Sequence, residues 1–197
     1  MLRPPSLGFS LIELMTTITI LAILTAVVGP AIGSWMINTR TRSAAEAVLT
    51  GLQKTRMEAI RRNQTVTFWL VSSTDPTQFD SSCAASSASG SWVISSSDPS
   101  GKCSSNPDTK LAEFYDWHSA GKSSKDILIA AMDNAANAAS SVKFDSLGQV
   151  VSSGNAIRTI DFTTNSDGTR RLRLLISSIG SARLCDRDAG ATDPRAC

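Results

Sequence analysis

The sequence predicts an α+β protein: one long N-terminal helix packed on a C-terminal domain of antiparallel β-sheet. Three observations predict it. Leu14–Ile37 is a run of 24 residues without a charge, residues 38–63 carry apolar side chains at helical spacing, and from Val66 onward β-branched and aromatic segments recur between turn residues. A chain of 197 residues, 42% of them hydrophobic, has room for one ordinary domain and an appendage. Such a composition argues against disorder throughout.

The uncharged run comes first. As a helix, those residues extend about 36 Å at roughly 1.5 Å each, more than the roughly 30 Å of bilayer hydrocarbon. A cleaved secretory signal has a shorter apolar run ending in a small-residue site. Here no Ala-x-Ala pattern closes the run, and helix-compatible sequence continues to about Asn63. The segment is therefore expected to be retained as a single membrane pass. Pro30, between Gly29 and Gly33, interrupts it; an interior proline removes one backbone donor and usually kinks the helix, which membrane helices tolerate. Glu13 is the one charge at the start of this helix. A carboxylate inside a membrane segment costs about 2.5–3.5 kcal/mol on insertion scales, so Glu13 either finds a partner or lies at the headgroup interface in water.

The opening MLRPPSLG followed by FSLIE resembles a type IV prepilin leader: a short basic peptide ending in Gly8, then Phe9, then Glu13, then the apolar helix. The resemblance implies that residues 1–8 are a leader, cut between Gly8 and Phe9 by a prepilin peptidase that also methylates the new amino terminus on Phe9. It implies that residues 9–37 form the transmembrane and assembly helix, that Glu13 pairs with the amino terminus of a neighbouring subunit, and that Pro30 matches a kinking proline of major pilins. The implied partners are the peptidase, the inner membrane and other pilin or pseudopilin subunits. The implied location is a single pass in the inner membrane with the C-terminal domain in the periplasm, extracellular or periplasmic once in the filament.

Residues 38–63 read as the amphipathic continuation of the helix. Ala45, Val48, Leu52 and Ala59, flanked by Leu49 and Ile60, form one apolar face, while six cations against Glu46 and Glu58 give the segment a net charge of +4, the pattern of a solvated opposite face. Asn63 is a plausible helix stop. The stretch LQKTRMEAIRRNQTVTFWL, Leu52 to Leu70, resembles the helix-to-first-strand junction of the GspH/FimT group of minor pilins and pseudopilins, through Leu52, Arg56, Glu58, Ala59, Arg61, Asn63 and Val66.

Residues 64–197 then form the β domain. VTFWLV is the first strand. Ser72–Ser105 holds 14 serines in 34 positions and reads as loops around a short strand at Ser91–Ile94. Further strands are expected at Leu111–Trp117, Asp126–Ala130, Ser141–Asp145, Gln149–Val151, Ile157–Thr163 and Arg170–Ser177, several alternating polar and apolar as an antiparallel sheet with one wet face does. Gly148 supplies the positive backbone angle of a hairpin turn in VKFDSLGQVV, a segment that also resembles the group. The alanine-rich Ile129–Ser140 reads equally as a short helix or a loop.

Four cysteines, Cys83, Cys103, Cys185 and Cys197, fall in the part expected to be periplasmic, where disulfides persist. Three connectivities are open; Cys83–Cys103 with Cys185–Cys197 is the simplest, each closing a local loop. No Cys-x-x-Cys pair exists and His118 is the one histidine, which argues against a metal site. The same scarcity, with no Gly-x-Ser-x-Gly turn, leaves nucleophilic catalysis without a constellation. The chain is expected to be a structural subunit without enzyme activity, cofactor or metal.

Residues 170–197 carry six arginines against Asp186, Asp188 and Asp193, while residues 63–169 sum to −5. Arginine suits phosphate through its planar fork. FimT-type minor pilins of DNA uptake carry Gly-Arg-x-Arg near the C-terminus, where this chain reads Gly180-Ser181-Ala182-Arg183, and the Leu184–Cys197 segment is similar to that family's disulfide-closed tail. The resemblance therefore offers Arg183, Arg187 and Arg195 as candidates for double-stranded DNA, with one arginine of the motif absent. Three roles stay open: a minor pilin of a type IV pilus, a pseudopilin of a type II secretion system, and a competence pilin holding DNA.

Overall fold

The computed structural model describes residues 9–75, 80–103, 113–121, 126–152, 154–166 and 168–197, the side chains of residues 27–31 excepted. Among these residues helix α1 (Leu11–Arg62) precedes nine strands: β1 (Val66–Ser72), β2 (Ala84–Ala85), β3 (Ser91–Ser95), β4 (Phe114–His118), β5 (Ile127–Met132), β6 (Ser141–Phe144), β7 (Thr159–Thr164), β8 (Leu172–Ile176) and β9 (Ala182–Asp186). The fold is α+β, and every pairing between these strands is antiparallel. The chain divides into two compact units between Met36 and Ile37.

In the second unit, helical spacing determines what the helix buries. Ala45, Val48 and Ala59 are fully buried and Leu52 is 1% exposed, joined by Thr41 and Thr55, whose hydroxyls donate back to the Ile37 and Gly51 carbonyls. Ile60, expected to flank this stripe, is instead 44% exposed. Gly51 lies where a side chain has no room: a Cβ there would stand 2.6 Å from Trp92 Cε2 and 2.8 Å from Phe68 Cε2. Trp92 Nε1 donates to the Ala47 carbonyl at 3.1 Å, so the indole both fills the space above Gly51 and ties β3 to the helix. The helix stops at Asn63, whose φ of 51° lies in the left-handed region that asparagine tolerates. Arg61 and Arg62 in the last turn complement the helix dipole.

The β domain consists of two sheets. The first has order β2-β1-β3-β4, with β6 also paired to β1; the second has order β5-β7-β8-β9. Val66, Phe68, Leu70 and Ile94 of the first sheet and Ile129, Ile160, Phe162 and Leu174 of the second share one core with the helix stripe. The expected wet face holds for β5, which alternates buried and exposed residues, but not for β3, which is buried throughout. The reason lies on the far face of the first sheet. There Trp69, Val71, Val93 and Phe114 gather around Cys83 and Cys103 in a second, smaller core. The continuous apolar run VTFWLV matches a strand covered on both sides.

Other strand expectations need correction. Gln149–Val151 is no strand; only Val150 forms a bridge, to Phe144, as the chain leaves the turn at Gly148. β9 and the two-residue β2 were not expected. Leu111–Trp117 reduces to a strand starting at Phe114, and residues 104–112 lie outside the described ones. The alanine-rich segment is neither helix nor open loop. It is the end of β5 and a turn, in which Asp133 Oδ1 accepts from the Ala135 and Asn137 amides at 2.8 and 2.9 Å and Ala136 takes φ 61°. Side-chain bonds of this kind give the backbone an alternative to helix.

Candidate functional site

Two regions carry the residues singled out by sequence. The first is the start of α1. Gly8 lies outside the described residues, and Phe9 is 84% exposed. Ser10 caps the helix: its Oγ accepts from the Glu13 amide at 3.3 Å, and its carbonyl from the Glu13 and Leu14 amides. Ser10-x-x-Glu13 is the pattern of a capping box, and Glu13 in the first turn faces the positive end of the helix dipole. The capping serine was missed at the level of sequence, although this spacing identifies it.

Beyond the cap, large apolar side chains project without cover. Leu11, Ile12, Leu21 and Ile23 are each more than 60% exposed, and from Leu14 to Ala26 the polar residues are all threonines. Those threonines hide their own hydroxyls: Thr16, Thr17, Thr19 and Thr25 donate to carbonyls three or four residues back, at 2.8–3.0 Å. These four hydroxyls are thereby satisfied without water, as an apolar solvent requires. Residues 27–31 divide this stretch, Pro30 among them within the helical backbone, and their side chains are not described. Among the described residues alone, no helix is long and apolar enough to cross a membrane.

The second region is the outer face of the second sheet, where the C-terminal arginines collect. Most are paired. Asp161, 7% exposed, accepts a two-point contact from Arg173 at 2.6 and 2.8 Å and a third bond from Arg187 Nη1 at 2.9 Å. Arg171 clasps Asp188, whose carboxyl is held below its ordinary value by the hydrogen bonds from that side chain and its backbone amide. Arg195 binds Asp193 at 2.7 Å and lowers its carboxyl to about 2, again chiefly by side-chain hydrogen bonding. Arg170 lies 3.9 Å from Asp186. Of the three candidates for DNA, Arg187 and Arg195 are thus engaged within the fold, whereas Arg183 is exposed and has no ion pair among the described residues. Asp161 and its role in neutralising two arginines could not be read from sequence, because β7 and β8 had first to be placed in register.

Both disulfides connect local pairs. Cys185–Cys197 ties the last residue to β9, where the Asp186 amide also donates to the Arg195 carbonyl at 2.7 Å; Cys83–Cys103 closes the loop over the second core. At the other end of β9 two turns lie against each other. Gly148 and Gly180, at φ 74° and 80°, end matching turns; a Cβ on Gly180 would stand 1.9 Å from the Gly148 carbonyl oxygen, which accepts from Arg56 Nε at 3.0 Å. His118 is half-buried and stacked on Trp92 at 5.6 Å, and burial lowers its pKa. No group of three or more metal-binding side chains occurs among the described residues.

The profile of a family described as "Type II transport protein GspH" matches residues 44–180, and that of a "Prokaryotic N-terminal methylation motif" matches residues 3–29. Among solved structures, two crystal forms of the type IV minor pilin FimU of Pseudomonas aeruginosa are similar to the chain. One is 20% identical and covers 79% of this chain and 98% of its own, with a TM-score of 0.44; the other is 19% identical and covers 81% and 96%, with a TM-score of 0.45. No curated protein matches the chain.

Proposed function

Because the chain belongs to the GspH family, the pilin-like group that its sequence resembles, we propose that it is a minor subunit of a type IV pilus or a type II secretion pseudopilus. One observation carries this reading: the large apolar side chains from Phe9 to Leu24 are all exposed, Leu11, Ile12, Leu21 and Ile23 by more than 60%. Burying a single such side chain contributes about 1.5–3 kcal/mol, so this helix is stable only in a bilayer or among other helices. A filament subunit uses both in turn. Cleavage between Gly8 and Phe9 and methylation of Phe9 prepare the amino terminus, and Glu13 then offers the amino terminus of a neighbouring subunit a partner for its charge.

The test is made on the full chain in its host. The mature protein is expected to begin at Phe9 and carry one extra methyl group by intact mass. Glu13→Leu should be cleaved and remain in the membrane yet fail to co-purify with sheared filaments or cross-linked subunits. Recovery of that variant in filaments at wild-type amounts would refute the role of Glu13. An unprocessed wild-type chain would refute the subunit reading itself. The identity of the subunits cross-linked to the wild type decides between pilus and secretion machinery.

A second reading, a competence pilin holding double-stranded DNA, is favoured by Arg183, the one candidate without an ion pair among the described residues. Duplex binding should then weaken with salt, as counterion release requires, and fall several-fold in Arg183→Ala. Absence of binding at low salt would discard it.

A further inference from the structure

Arg183 is not the only arginine on this face left without an acid. Arg158, just ahead of β7, forms no ion pair among the described residues, and it lines the same groove as Arg183. Strand register explains the meeting. Thr159 on β7 is opposite Leu175 on β8, and Leu175 is opposite Arg183 on β9, so Arg183 and Thr159, the chain neighbour of Arg158, stand at the two ends of a row two inter-strand spacings long, roughly 10 Å. The recess has a volume of about 350 Å³, and Asn134, Ser177 and Ser181 line it with them.

The acids nearby are occupied elsewhere. Asp133, on a recess that Arg158 also borders, spends one carboxylate oxygen on the Ala135 and Asn137 amides and the other on the Asn137 side chain. Asp161, two residues beyond Thr159, is bonded to Arg173 and Arg187. Ser177 and Ser181 hydrogen-bond each other at 2.7 Å, which fixes their hydroxyls at the rim of the groove. Two guanidinium forks with no ion pair among the described residues, flanked by hydroxyl and amide groups, match a tetrahedral oxyanion, whose oxygens accept several charge-assisted bonds at once.

We infer that this groove is a two-point binding site for a phosphate or sulfate group, with Arg158 and Arg183 as its two jaws. The inference goes beyond the filament role and does not depend on the duplex-DNA reading. A free anion and the phosphodiester of a polymer share this chemistry, and the experiment separates them.

Full-length protein in uncharged maltoside micelles, labelled with ¹⁵N-arginine, is titrated with inorganic phosphate against chloride at equal ionic strength. The expected result is a saturable shift of the Arg158 and Arg183 Nε–H signals with a common midpoint. Either Arg158→Gln or Arg183→Gln should weaken the response of the remaining arginine about fivefold or more, while Arg195→Gln, whose native side chain is held by Asp193, should leave it unchanged. Both substitutions fall on side chains outside the buried core, and retention of the wild-type amide spectrum checks the fold. Non-saturating shifts, different midpoints, or a remaining arginine indifferent to loss of the other would overturn the site. A short duplex is then added. Duplex binding that requires both arginines supports the site with a polymer phosphodiester as its source, whereas phosphate binding without duplex binding supports it for a free or monoester anion.

Discussion

Gly180→Ala is expected to destabilise the domain by about 2–4 kcal/mol, far more than alanine costs at an ordinary turn. Two terms add. At φ 80° an alanine meets the left-handed penalty, about 1–2 kcal/mol. Its Cβ would also stand 1.9 Å from the Gly148 oxygen, a backbone atom that cannot rotate away. One turn must move, and the Arg56 bond to that oxygen moves with it. For a domain of this size the change lowers Tm by about 5–15 °C. Gly190→Ala, where a Cβ would meet nothing within 4 Å, serves as control and should stay within about 0.5 kcal/mol of wild type. Equal thermal stability of the two variants would show that the paired turns do not constrain the fold. The result bears on Arg183 as well, since the Gly180 turn leads directly into β9.

Removing the Cys83–Cys103 bridge by substituting both residues with alanine should cost about 3 kcal/mol. The sequence separation of 20 residues corresponds to a loop whose closure contributes about that much in the chain-entropy account. Cys83 and Cys103 are 3% and 9% exposed and cover Trp69, Val71 and Val93, so the released loop also uncovers apolar surface. Urea unfolding of the oxidised protein checks the magnitude. Limited proteolysis of the variant should cut first between residues 72 and 103. An unchanged urea midpoint would mean that the second core holds without its bridge.

The elements that sequence made legible are those determined by near neighbours along the chain. Helical spacing alone placed Ala45, Val48, Leu52 and Ala59 on one buried face, and Asn63 and Gly148 were identified as special backbone positions by residue type. Ile60 was misjudged because periodicity gives a direction on the helix and not the extent of what covers it. β9 was hidden for a related reason: ARLCD lacks the density of branched residues that marks β1, and it becomes a strand by pairing with β8. The alanine-rich stretch stayed open between helix and loop because Asp133 and Asn137 outweigh helix propensity only once the end of β5 fixes them.

For function the division is sharper. The leader-like pattern, the uncharged run with Glu13 at its head and the even count of cysteines stand in the sequence, because each is a property of neighbouring residues or of composition and needs no tertiary contact. Which arginines retain a charge free to act was decided by tertiary structure alone. Six arginines crowd the last 28 residues, but electrostatic pairing is a matter of a few ångströms across strands, and only the register of β7, β8 and β9 gives Arg173 and Arg187 to Asp161 while leaving Arg183 beside Arg158.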